Sequence, residues 1–229
     1  MMLAAHQPQF APWLGFFDKL DRADVFVLLD DVQFKKNEWQ NRNRIKGAAG
    51  PQWLTVPVSG RFGEAIGSLD IAQKEDWPTR HLKTLRTCYG RAPHFVETFS
   101  RYERVARRQW EKLAALNVEL LKDIVAQLNL ETAILLASEM GPMPAHRDER
   151  LIELCRRCGA QDYLAGAGGR DYMELERYEA AGLNVVFQDY QHPEYPQLFG
   201  DFTPNLSVLD LLFNCGPGSM GIIRAGRTV

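Results

Sequence analysis

MLAAHQPQFAPWLGFFDKLDRADVFVLLDD, residues 2–31, is the stretch that decides the fold. Met2 to Ala5 is a short apolar run, and it ends in the polar loop His6-Gln7-Pro8-Gln9. Pro8 and Pro12 stop any regular element there, while Pro12 suits a first helical turn because its missing N–H costs nothing in that position. Trp13, Phe16, Phe17 and Leu20 then recur at helical spacing. Val25 to Leu29 is an unbroken apolar run closed by Asp30 and Asp31, the pattern of a strand covered on both faces. Strand, loop, helix and strand in such quick succession predict parallel neighbours in one sheet.

The same rhythm returns later. Ala133–Ala137, Asp162–Ala165 and Val185–Phe187 read as strands. Asp148 can cap a helix that carries Leu151, Leu154, Cys155 and Cys158 and stops at Gly159. Asp171–Ala181 reads as a helix stopped by Gly182, and Ser207–Asn214 as a closing helix with Ser207 at its N-cap. In between, Trp53–Val58 is a strand candidate, and Ser59–Glu75 is turn-rich with no assigned element. A helix starts at Trp77 and breaks at Pro93. Phe95 to about Asn129 is one long helical stretch whose second piece Asn117 could cap. The expected fold is a single α/β domain over residues 1–229, mostly parallel, Rossmann-like and three-layered with helices on both faces. Residues 77–130 would form a helical insertion packed beside the sheet. In such sheets ligands bind outside the carboxyl ends of the strands.

Composition limits the function classes. Of 229 residues, 45% are hydrophobic and 24% charged, a globular balance that argues against disorder. A net charge of −2 speaks against DNA binding, which needs a local excess of cations. No basic leader and no apolar stretch of membrane-spanning length are apparent, which predicts a cytoplasmic protein without membrane insertion. Four cysteines, Cys88, Cys155, Cys158 and Cys215, then read as free thiols. Cys155 and Cys158 lie on one apolar helix face and lack a second pair, so no zinc site and no other metal-ligand set is assigned.

Four polar clusters follow strands or turns. His6, Gln7 and Gln9 follow the first strand; the imidazole could move a proton, or only brace a loop through backbone hydrogen bonds. The second cluster runs from Asp30 to Arg44. In it Asp30 and Asp31 could hold Mg²⁺ or cap a turn. Lys35, Lys36 and Arg42 could hold phosphate, and Gln33, Trp39, Gln40, Asn41 and Asn43 have the donors, acceptors and ring suited to a sugar. The third cluster, Gly168-Gly169-Arg170-Asp171-Tyr172, is a glycine turn before a helix, either an anion cradle or a tight connection. The fourth, Gln188, Asn205, Ser207, Asp210 and Asn214, places polar groups among leucines, facing a pocket or one another.

Taken together, His6-Gln7-Pro8-Gln9-Phe10, Trp13-Leu14-Gly15, Asp30–Lys36, Trp39–Asn43, Trp53–Val58, Gly168–Tyr172 and Asn205–Asn214 resemble the WbqC-like family from Leu3 to about Pro217. Ala165 and Ala167 depart from the Ser and Pro more usual in the family's glycine turn. The resemblance implies a bacterial protein of surface-polysaccharide or O-antigen (lipopolysaccharide) biosynthesis. It further implies a transferase that adds a glycyl or aminoacyl group to a nucleotide-linked amino sugar. On that reading His6 is the general base, Asp31 positions the amine or a metal, and the second cluster binds the nucleotide-sugar and an aminoacyl donor. The alternatives are a non-catalytic sugar-nucleotide or partner-binding protein, and an adenylate-forming or nucleotidyl-transferring enzyme, which would want a second nearby His. Use of an aminoacyl-tRNA donor would need a more basic surface than the Lys35–Arg44 and Arg101–Arg108 stretches offer.

Overall fold

The computed structural model describes residues 1–60, 63–74 and 76–228. In chain order the elements are β1 (Met2–His6), α1 (Leu14–Arg22), β2 (Val25–Leu28), β3 (Arg42–Gly47), β4 (Gly50–Thr55), β5 (Val58–Ser59), β6 (Asp70–Ile71), α2 (Trp77–Tyr89), α3 (Phe95–Ala106), α4 (Leu113–Gln127), β7 (Ala133–Leu136), α5 (Arg147–Cys158), β8 (Asp162–Ala165), α6 (Leu175–Ala180), β9 (Asn184–Phe187), α7 (Val208–Cys215) and α8 (Ser219–Ala225). Five strands make one parallel sheet in the order β7-β2-β1-β8-β9. The register sets His6 beside Leu28 on one flank of β1 and Ala4 beside Leu164 on the other. The strand order reverses between β1 and β8, and connections diverging there leave a crevice at the carboxyl edge.

Side-chain alternation assigns the layers. Ala4, Phe26, Leu28 and Leu164 face one way, into a core shared with α1 to α4, α7 and α8. Leu3, Ala5, Val27, Tyr163 and Ala165 face the other way, onto α5 and α6. Phe16, Phe17 and Phe26 are at most 2% exposed, and burying each such ring contributes about 1.5–3 kcal/mol. The α2–α4 helices join the same core as α1, so no solvent layer divides them from the sheet. The Rossmann-like α/β reading of the sequence therefore stands.

Several local readings need correction. The segment read as polar and ligand-facing contains β3, which pairs antiparallel with β4. Arg42 and Arg44 alternate with Asn43 and Ile45 there, a period-two pattern masked by its polar residues. The long helical stretch is two helices separated at residues 107–112, and Asn117 lies inside α4, buried, rather than at a cap. Asp148 is likewise inside α5, whose N-cap is His146, and its carboxylate accepts from Tyr178. The helix expected from Asp171 begins at Leu175, after a 3₁₀ turn over Ala167–Asp171. The turn-rich stretch contains β5 and β6, while Arg61, Phe62 and Glu75 lie outside the described residues.

Ser207 does cap α7, accepting from the Leu209 amide. Gly159 ends α5 at φ 70°, where a side chain is disfavoured. Gly159→Ala has open space for its methyl, so its cost is the backbone conformation alone. We expect a loss of about 1–2 kcal/mol in urea unfolding; an unchanged midpoint would refute this account of the helix end.

Candidate functional site

A crevice of about 880 Å³ lies over the carboxyl ends of β1 and β8. His6 and Gln7 reach it from the end of β1, Gly166 and Tyr172 from beyond β8, and Gln33 and Lys35 from the chain leaving β2. The imidazole and the first part of the charged segment, Asp31 to Lys35, thus share one cavity.

His6 packs edge-on against Phe16, with ring centroids 5.1 Å apart. Its Nδ1 lies 3.0 Å from the Gln7 carbonyl. A carbonyl only accepts, so Nδ1 carries the proton and Nε2 keeps a lone pair. Burial, and secondarily the Lys19 ammonium, push His6 down to about 4, so the ring is neutral at pH 7. Lys19, on α1, is 4% exposed and also lines the crevice. Its Nζ donates to the Ala5 carbonyl at 2.9 Å. Burial pushes the ammonium down to about 8.

Asp31 enters from the β2 side, and its Oδ2 accepts from Arg150 Nη1 at 2.6 Å. Its Oδ1 is buried without a partner among the described residues. Arg147 stacks over the Tyr172 ring at 4.3 Å and donates to the Tyr172 carbonyl. Among the described residues the crevice therefore brings together four cationic side chains, Lys19, Lys35, Arg147 and Arg150, against one carboxylate already paired with Arg150. Such a surface favours an anion. Asp30 does not share a metal site with Asp31. Its two oxygens accept from the Ser138 amide and hydroxyl, which fixes the turn leaving the sheet, the second of the two uses open to this Asp. One other described cluster, His146, Asp148 and Glu174, has ligand-type atoms within 4.8 Å of one another. Tyr178 and Arg147 occupy Asp148, and Arg177 occupies Glu174.

The model of the WbqC-like protein family matches residues 7–222. The chain belongs to the WbqC-like protein family. It is also 34% identical over 229 residues, 98% of each chain, to the uncharacterized protein Rv1507c of Mycobacterium tuberculosis. No solved structure matches the chain. No helix among the described residues of this WbqC-like protein is long and apolar enough to cross a membrane.

The remaining predicted residues lie behind the crevice or away from it. Gln40 donates to Gln7 Oε1 at 2.7 Å, which leaves the Gln7 amide nitrogen for other partners. Asn41 donates to the Val56 carbonyl, and Asn43 to the Ala11 carbonyl at 2.8 Å. Ser207 Oγ donates to that same Ala11 oxygen at 2.7 Å. Ala11 is left-handed at φ 40°, and this pair of donors secures its peptide. Asn117 reaches from α4 to the Gln40 carbonyl, and the Phe10 amide donates to the Trp39 carbonyl. Asn41 and Asn43, expected to orient a sugar, spend amide donors on backbone, Asn41 on Val56 and Asn43 on the loop over residues 7–12.

Trp39 packs on Trp53 at 5.5 Å, and Arg42 stacks over Trp53 at 4.2 Å, on the hairpin. Gln9 has a buried Oε1 without a described partner, and Lys36 is exposed. Arg170 lies over Phe187, while Gly168 and Asp171 belong to the 3₁₀ turn. Gln188 ties the end of β9 to α1 through the Gly15 carbonyl and Asp18. Asp210 and Asn214 do not face the crevice. Asp210 accepts from Tyr89 and Tyr195, and Asn214 donates to the Asp210 carbonyl. Asn205 is left-handed at φ 58°.

Lys19, Arg147 and Arg150 escaped the sequence reading. Lys19 carries a legible signal, being a lysine three residues after Phe16 and directly before Leu20 on an otherwise apolar helix face. Arg147 and Arg150 lie in the first turn of α5, where the helix dipole favours acids, so cations there signal another use.

Proposed function

We propose that this protein is an acyltransferase of bacterial surface-polysaccharide assembly, passing a glycyl or other aminoacyl group to the amine of a nucleotide-linked amino sugar. The observation that carries the reading is a neutral imidazole at the floor of a cationic crevice, at the switch point of a parallel sheet. Arg147, Arg150 and Lys35 offer charge-assisted donors to the diphosphate. Gln7 and Gln33 are placed to bond sugar hydroxyls, and Asp31 to hold the amine. The amine nitrogen forms a bond to the acyl carbon of an activated donor. His6 Nε2 takes the proton that the nitrogen loses, and the bond from the acyl carbon to the donor's leaving group breaks. A phosphate in the crevice offsets the Lys19 charge, which raises the basicity of His6 as substrate binds.

The test incubates purified protein with nucleotide-linked amino sugars and a glycyl thioester and looks for the acylated mass. Arg147→Ala should weaken nucleotide-sugar binding by up to about tenfold, with a smaller loss at high salt because exposed charges are screened. Saturable binding without product would make the protein a binding module. Absence of binding would remove the crevice as the ligand site.

A further inference from the structure

Two lysines of this chain are buried to a similar degree and are treated differently. Lys46 is 3% exposed, and its ammonium finds three oxygens, the Gln197 side chain and the Gly200 and Asp201 carbonyls. Lys19 is 4% exposed and has one described hydrogen-bond acceptor, the Ala5 carbonyl. An ammonium has three donors, so two of them are unspent. Among the described residues Lys19 makes no ion pair, and burial alone accounts for its shift. Burying a charge without a counter-ion costs free energy, which a bound anion would recover. Arg227, also partly buried, shows the usual solution, pairing with Asp18 and Asp21. What distinguishes Lys19 is its place, on the wall of the crevice beside the His6 ring.

We propose that Lys19 is an oxyanion anchor on the crevice wall, holding a negatively charged oxygen of the ligand with the donors it does not spend on Ala5. The assignment rests on the crevice being the ligand site and not on acyl transfer. A phosphate oxygen and a carboxylate oxygen present the same chemistry to an ammonium, and so does the oxyanion formed at an acyl carbon under attack. The other titratable and charged groups that line the crevice with it are His6, Asp31, Lys35, Arg147, Arg150, Tyr163 and Tyr172, of which His6 feels the Lys19 charge.

Calorimetric titration with sulfate, a stand-in for phosphate, and with oxalate, for carboxylate, tests this. Both probes keep a constant charge between about pH 6.5 and about pH 9.5. One of them should bind the wild type, and the probe that binds identifies the oxygen source. Its affinity should fall roughly tenfold across that pH range as the ammonium loses its proton. Lys19→Met should bind it roughly tenfold more weakly at the lower pH and lose the pH dependence, while Lys19→Arg retains binding. The wild-type pH series needs no variant, so a misfolded Lys19→Met would not rescue the idea. The proposal is overturned if neither probe binds the wild type, if wild-type affinity is flat across the range, or if folded Lys19→Met binds as tightly. Binding of a probe by a protein that shows no acyl transfer would remove the proposed reaction and leave the anchor in place.

Discussion

Replacing His6 with Ala should lower kcat by about 10²–10⁴ while nucleotide-sugar affinity changes little. The ring contributes a proton acceptor in a neutral state that burial and Lys19 enforce, so its removal strikes the chemical step. On the proposed reading the phosphates are held by Lys19, Lys35, Arg147 and Arg150, side chains from elements other than the one that carries His6. In the wild-type kcat/KM profile the part of the acid-side fall that belongs to His6 should come near pH 4, because His6 accepts a proton only once it is neutral, below the fall set by protonation of the substrate amine. Stopped assays over a pH series, with circular dichroism as the folding control, read both effects. Full activity in a folded His6→Ala protein would refute the base assignment.

Asp210→Ala should give the largest stability loss among single polar substitutions considered, about 2–5 kcal/mol in denaturant unfolding. Tyr89 and Tyr195 both donate to this buried carboxylate, at 2.7 and 2.9 Å. Truncation strands two phenols in the core. Tyr89 is also the acceptor for the Lys46 amide at 3.0 Å, so its reorientation would disturb β3. Asp210→Asn keeps the volume and one acceptor oxygen and should cost much less. Burial raises the Asp210 pKa, against the two phenolic hydrogen bonds that lower it. The folded state therefore holds this proton more tightly than the unfolded chain does. The contribution of Asp210 to stability declines as pH rises from the ordinary value of 3.8 through the raised one, then stays level. Asp210→Asn should remove that slope. An Ala variant as stable as wild type would show that water replaces the carboxylate at no cost.

Much of the scaffold could be read from residues 2–31, because apolar runs, prolines and helical spacing are local signals. The parallel sheet with helices on both faces followed from the alternation of such signals. The hairpin β3–β4 did not, because its residues 42–47 alternate without the apolar contrast that betrays a strand. Asn117 resembled a cap because its partners, the Gln40 carbonyl and the distant Pro8 carbonyl, are remote in sequence. The site divided in the same way. His6, Gln7, Asp31, Gln33 and Lys35 lie at strand ends, where a sheet rule applies to sequence directly. Arg147 and Arg150 arrive from a helix more than a hundred residues away, and only the β7-β2-β1-β8 order brings them there. Asn41 and Asn43 were recognised as unusual for their polarity, but composition cannot tell whether an amide faces a ligand or a carbonyl.

The left-handed Ala11, gripped by Asn43 and Ser207, implies a division of labour between the two rims of the cavity. The rim that carries His6 is cross-braced from the hairpin, from α4 and from the cap of α7, so altering it disturbs the whole edifice. The opposite rim, residues 33–38, consists largely of exposed side chains with few tethers, such as the Phe34 amide to the Glu64 carbonyl. That lip can be rewritten, lengthened or shortened at little expense to the remainder. Retargeting the cavity to a different guest, by evolution or by an engineer, would proceed most easily there.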